Sequence, residues 1–244
     1  MNALPSSTAP AIAAPVCPSA VPAEAPNFDH LAPLYRWMEW LSFGPFLMRA
    51  RCAFLSNLAQ SRRALVLGDG DGRFTASLLR ANRQIEIDAL DISPAMLRGL
   101  RHRAGTHAAR LRTEVQDIRR WTPRAGGPAY DVVVTHFFLD CLTTDEICAL
   151  AARLRPALAP DARWMVSEFA APASLFGKLV AGPIIAFLYW AFRLLTGLSI
   201  RRLPDYCLAL TASGFTLVSE RRRLGGLLVS QLWSPQPEAT QVPL

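Results

Sequence analysis

Lysine is almost missing from this 244-residue chain: 25 of its 26 basic residues are arginine, and Lys178 is the one exception. Cysteine is sparse and unpatterned. Cys17, Cys52, Cys141, Cys148 and Cys207 make an odd set with no CxxC pair, which argues against a zinc site or a disulfide framework and fits a reducing, cytoplasmic setting. Charged residues are only 18% of the chain against 51% hydrophobic ones, so chain-wide disorder is excluded. A compact chain of this length buries roughly 70–75% of the surface its unfolded form exposes, enough for a core without metal or disulfide staples. Long apolar runs are lacking too. The most apolar one, LVAGPIIAFLYWAF over 179–192, is shorter than the ~20 residues of a spanning helix. Gly182 and Pro183 also break it near its start, so it reads as a buried or interfacial helix. Residues 1–26 hold no Lys or Arg and interrupt every apolar stretch with proline, unlike a signal peptide. They are expected to form a disordered Ala/Pro-rich tail.

The basic excess is local. Residues 61–130 carry 13 Arg against seven acids, whereas 131–244 carry ten bases against nine acids. Arg98, Arg101, Arg103, Arg110 and Arg112, with His102 and His107, form a candidate anion-binding patch. No aromatic is interleaved with them and no nucleic-acid motif accompanies them, so a solvated helix face is the preferred reading and no nucleic-acid partner is expected.

What is present is an alternation of strand and helix patterns. After an aromatic-rich segment that predicts two helices around a break at Gly44 and Pro45, ALVLG (64–68) reads as a strand covered on both faces. Residues 73–81 have helical spacing and 85–90 read as a second strand. Ser93 and Pro94 supply an N-cap and first turn for the next helix. Strands are expected near 112–116, 131–135 and 162–169, with a helix from Thr144 to about Ala157. This alternation predicts an α/β fold with a doubly wound, mostly parallel sheet. A last helix ending at Gly214 and two strands around Gly225 and Gly226 predict a terminal antiparallel hairpin. The expected organisation is a tail over 1–26, an N-terminal helical cap over 27–60, one domain over 61–233 with an apolar helical insertion at about 173–200, and a second tail over 234–244.

The decisive stretch is LVLGDGDGRF, which places Gly68, Gly70 and Gly72 between the first strand and a helix. Such glycines permit positive φ and close approach of a ligand to the backbone at a helix N-terminus. Asp91 ends the second strand 21 positions after Gly70, where a carboxylate can accept both ribose hydroxyls of a nucleoside. The spacing is GxGxG, with Arg73 where a dinucleotide fold places a third small residue. Asp69 and Asp71 in the loop disfavour a pyrophosphate and suit a cationic sulfonium, which points to S-adenosyl-L-methionine.

Across about residues 27–233 the chain resembles the class I S-adenosylmethionine-dependent methyltransferases of type 11/12. It is also distantly similar, through FDHLAPLYRWME near its start, to quinone-biosynthesis methyltransferases. The resemblance implies a seven-stranded Rossmann-like sheet. It assigns Gly68, Asp69, Gly70 and Gly72 to the cofactor loop, and Asp91 and Ile92 to ribose and adenine. Through VQDIRRW it assigns Asp117 and Ile118 to the adenine amino edge. The chain departs from the family at Val66, where an acid usually stands; Asp69 is expected to take over part of that acid's work.

Methyl transfer is an in-line displacement that chiefly needs positioning and exclusion of water, with a base only for phenol or carbon-acid acceptors. His136, expected one residue past the fourth strand, is the candidate base; Asp140 is a candidate to orient it or to bind the methionine ammonium, with capping of the following helix as its alternative. A turn-capping or carbonyl-bonding His136 is the alternative. Phe28, Tyr35, Trp37 and Trp40, with Phe187, Tyr189, Trp190 and Phe192, suggest a wall for a small hydrophobic acceptor, quinone-like or lipid-like, although core packing explains any one of them alone. The expected enzyme is cytoplasmic, with peripheral contact to the inner face of a membrane as a further expectation. The alternatives are a non-catalytic nucleoside-binding module of the same fold and a nicotinamide-dependent oxidoreductase.

Overall fold

The computed structural model describes residues 45–124, 126–170, 183 and 204–237. The expected N-terminal tail, the helical cap before residue 45, all of the 173–200 insertion but Pro183, and the end of the second tail lie outside the described residues. The elements are α1 (Pro45–Arg51), β1 (Arg63–Leu67), α2 (Arg73–Ala81), β2 (Glu86–Asp91), α3 (Pro94–Ala104), β3 (Leu111–Val115), β4 (Tyr130–His136), α4 (Thr144–Leu154), β5 (Leu158–Phe169), α5 (Tyr206–Ala212), β6 (Phe215–Arg223) and β7 (Leu228–Pro235). Seven strands form one sheet in the order β3-β2-β1-β4-β5-β7-β6. β1 to β5 are parallel, and β7 enters antiparallel between β5 and β6.

The near-continuous apolar strands follow from burial on both faces. Leu65, Leu67 and Val133 face α4 and α5, packing on Ile147, Leu150, Leu154 and Leu210. Their neighbours Ala64, Val66, Val132 and Val134 face Phe74, Leu78, Leu79 and Leu100 of α2 and α3. Trp164 anchors the first layer: it is 1% exposed, donates Nε1–H to Thr135 Oγ1 at 3.0 Å and stacks edge-on to Phe215 at 5.3 Å.

Local chemistry sets the element ends. Ser93 Oγ accepts from Met96 N, as an N-cap should, and Pro94 opens the helix behind it. α4 starts with a full capping box between Thr143 and Glu146. It ends at Leu154 rather than Ala157, because Pro156 turns the last residues into a 3₁₀ segment. The expected hairpin is present, with Leu224–Gly226 forming its 3₁₀ connection and both Gly225 and Gly226 at positive φ. The arginine patch is largely spent internally. Arg110 donates to the carbonyls of Leu79, Asn82 and Ile85, Arg101 to Thr113 Oγ1, and Arg103 to the backbone and carboxylate of Asp71. Among the described residues no helix is long and apolar enough to cross a membrane.

Candidate functional site

The strand order reverses between β1 and β4, so their carboxyl ends splay apart and leave the crevice where ligands of open α/β sheets bind. The expected residues collect along that edge. Gly68 N donates to Leu90 O (2.9 Å), joining the glycine loop to the end of β2. Gln116 N donates to Asp91 O (3.0 Å), bringing the Asp117 turn alongside. His136 and Asp140 stand on the β4 side of the crevice.

The three loop glycines divide their labour. All have positive φ, at 64°, 58° and 79°. A Cβ on Gly68 would lie 2.2 Å from the Phe138 ring, and one on Gly72 would lie 2.7 Å from the Leu100 backbone. Those two glycines are therefore needed for the protein's own packing. Gly70 has nothing within 4 Å of such a Cβ, so its backbone is the one left open to a ligand.

Beneath the loop lies a buried charge cluster. Asp69 is 7% exposed; Oδ2 accepts from Thr75 N at 2.8 Å in the first turn of α2, and Oδ1 has no hydrogen-bond partner. Burial pushes its carboxyl up to about 6, against the pull of Arg51 and the Thr75 bonds. Asp69 ties the loop to the first turn of α2, while Val66 is core. Arg51, the last residue of α1, is 5% exposed with its guanidinium 5.3 Å from the Phe137 ring. A buried carboxyl oxygen lacking a donor, beside an open glycine backbone, fits the ammonium end and cationic sulfonium of S-adenosylmethionine.

Asp91 is half-buried and accepts from Ser93 N at 2.9 Å, with half-buried Ile92 in the turn between them. Asp117 is drawn into a second network. Its Oδ1 accepts from Arg119 N and pairs with the Arg119 guanidinium at 3.5 Å, which also binds Glu146 at 2.8 Å. The side chain of Ile118 is core, so its expected contribution is confined to the backbone.

His136 is the final residue of β4, not the one after it. Its side chain points to the α2 face, 2% exposed, with the Phe74 ring edge-on at 4.5 Å and both ring nitrogens without a partner. Burial, reinforced by Arg51, lowers its pKa well below the usual value and keeps the imidazole neutral. The alternative of a capping or carbonyl-bonded His136 is not seen. Asp140 is half-buried in the 3₁₀ turn Leu139–Cys141 on the opposite face from His136 and its charge raises the Cys141 and Glu168 pKa values, though burial dominates in both.

Three participants went unnoticed in the sequence: Arg51, Phe138 and Glu168. Only Glu168 left a signal, as the single acid in the apolar run MVSEF of a strand read as buried.

Residues 65–164 match the family model described as a methyltransferase domain. Among solved structures, the chain is similar to mitomycin 7-O-methyltransferase (17% identity, TM-score 0.62, covering 85% of this chain and 59% of that one). It is similar to a methyltransferase in calicheamicin biosynthesis, solved with SAH bound (21%, 0.61, 85% and 59%). A TehB-like SAM-dependent methyltransferase from Corynebacterium glutamicum matches at 15% identity and TM-score 0.57, covering 85% of this chain and 99% of that one. The chain thus spans less than two-thirds of the length of the first two. No curated protein matches it. The seven-stranded sheet is the fold of these methyltransferase structures, and the match to the methyltransferase-domain model covers its strands β1 to β4 and the start of β5.

Proposed function

We propose that the chain transfers a methyl group from S-adenosylmethionine to a small hydrophobic acceptor, quinone-like or lipid-like. The observation that carries the cofactor half is the pairing of the open Gly70 backbone with the orphaned, buried Oδ1 of Asp69. When bound, S-adenosylmethionine supplies a methyl carbon already activated by its sulfonium. The chain's residues then orient and exclude water. Asp91 receives the ribose hydroxyls, Asp69 the ammonium, and the Asp117–Ile118 turn lies beside the adenine edge. His136 is the proposed proton acceptor for a phenolic or carbon-acid substrate; burial and Arg51 keep it neutral, and the same lowered pKa makes it a weak base. Asp140 is proposed to act separately, from the α4 face, on the cofactor's ammonium or the acceptor. The small-molecule acceptor is supported by the neighbours named for mitomycin O-methylation and calicheamicin biosynthesis. Its hydrophobic character rests on the aromatic clusters in the sequence, and cytoplasmic or membrane-surface placement rests on composition alone.

The test is calorimetric titration of the full chain with S-adenosylmethionine and S-adenosylhomocysteine, wild type beside Asp91→Ala, with NADH as control. Micromolar binding of the adenosyl ligands that the mutant loses supports the reading, and labelled methyl transfer to quinols, phenols and lipids then identifies the acceptor. Silence toward the adenosyl ligands favours the second reading, a non-catalytic module of the same fold, for which Val66 in place of an acid is the specific observation.

A further inference from the structure

At the end of β5, Glu168 is 1% exposed. Its Oε1 accepts from two successive backbone amides after β4, Phe138 N at 3.0 Å and Leu139 N at 2.8 Å, while Oε2 has no hydrogen-bond partner. Those amides belong to the turn in which Phe137 takes φ of 54°, an unfavourable value for an aromatic residue. Something outside the turn must hold it there. Phe137 packs on Phe169 at 4.9 Å, one residue beyond Glu168, and the Phe138 ring fills the space above Gly68. A single carboxyl thus joins the end of β5, the turn after β4 and the glycine loop after β1.

We propose that Glu168 is a positioning residue that latches the 137–139 turn and thereby seats Phe138 on the glycine loop, so that cofactor affinity depends on a side chain with no assigned contact to the cofactor. The proposal rests on the reading of the loop as the S-adenosylmethionine site. Asp140 and Cys141 of the turn and Tyr206 of α5 surround the carboxyl electrostatically. Burial first, then the Asp140 charge, pushes its pKa well above the carboxylate range. A neutral carboxyl in this place has a near-isostere in glutamine, whose carbonyl oxygen accepts the same two N–H groups while its amide replaces the other oxygen.

The test compares wild type, Glu168→Gln and Glu168→Ala as full chains. Amide hydrogen exchange at Phe138 and Leu139 is expected to accelerate by about tenfold or more in Glu168→Ala and to stay near wild type in Glu168→Gln. Affinity for S-adenosylhomocysteine is expected to fall by about tenfold in the alanine variant and to return with glutamine. Should Glu168→Ala fail to fold, Glu168→Asp, one methylene short of both amides, carries the same comparison. A folded Glu168→Ala with wild-type exchange overturns the latch, and faster exchange with unchanged affinity overturns its consequence for the cofactor. Wild type that binds no adenosyl ligand refutes the functional reading instead and, with it, the cofactor consequence, while the exchange comparison still decides the latch.

Discussion

Gly70 and Gly72 offer a direct trial of the division of labour in the glycine loop, through the paired substitutions Gly70→Ala and Gly72→Ala. Both positions have positive φ, so an added Cβ strains either by about 1–2 kcal/mol. At Gly70 that is the whole penalty, because the Cβ enters open space. At Gly72 it would lie 2.6 Å from Leu100 Cγ and 2.7 Å from Leu100 Cα, and a helix backbone cannot swing aside as a side-chain tip can. Overpacking of this kind adds about 1–3 kcal/mol, for a total of about 2–5 kcal/mol. With roughly 2–4 °C lost per kcal/mol in a domain of this size, Gly72→Ala should melt about 6 °C below Gly70→Ala. Binding should show the opposite order of severity relative to stability. Gly70→Ala keeps its fold yet loses about tenfold or more of its affinity for S-adenosylhomocysteine, because the new methyl group occupies the one open approach to the backbone. Thermal melts and titration calorimetry on the same samples measure both. Equal melting temperatures for the two variants, or a folded Gly70→Ala with wild-type affinity, would refute the reasoning.

Asp69 makes stability pH-dependent in a stated direction. Its native carboxyl holds a proton up to about pH 6, whereas the unfolded carboxyl releases it near 3.8, so rising pH over that window favours the unfolded chain. The loss is on the order of 3 kcal/mol, complete above about pH 6; Asp69→Asn should lack it, and a mutant with the wild-type slope in melts from pH 4 to 7 would contradict the assignment. Arg155 donates to the carbonyls of Ser213, Gly214 and Gln236, pinning the turn before β6 to the end of β7. Arg155→Ala should lower unfolding free energy by about 1.5–3 kcal/mol in urea titration, and no measurable change would deny the clamp. Trp164→Ala should destabilise by about 3–5 kcal/mol by the same assay, as removal of a fully buried indole with a bonded N–H requires; a loss below 1 kcal/mol would mean that the site collapses around the cavity.

Much of the fold was legible because the central strands β1 and β4 are apolar on both faces and helices such as α3 and α4 carry their own start signals, in Ser93–Pro94 and Thr143–Glu146. The glycine loop and Asp91 were legible for a similar reason: GxGxG and an acid at the end of the next strand are local patterns. Arg51, Phe138 and Glu168 were hidden because their roles come from contacts between distant parts of the chain. Nothing near residue 51 says that a cation there will be buried against the turn after β4. His136 reads as lying just past β4; as the strand's last residue it keeps the strand's alternation, which turns its side chain onto the α2 face beside Phe74.

The antiparallel β7 gives the site a place in time. Ser167 Oγ and Ser230 Oγ both donate to Ala50 O, so the end of α1, with Arg51 beside it, is fastened to a strand made some 180 residues later. During synthesis β1 to β5 can pair while β5 still presents an open edge, and that edge is not covered until residue 228 onward has left the ribosome. A chain stopped before β7 would therefore be a sheet with a sticky margin and an unanchored Arg51, prone to self-association before it could hold any ligand. The last of the described strands to be synthesised is the one that gives the first described helix its fixed position over the crevice.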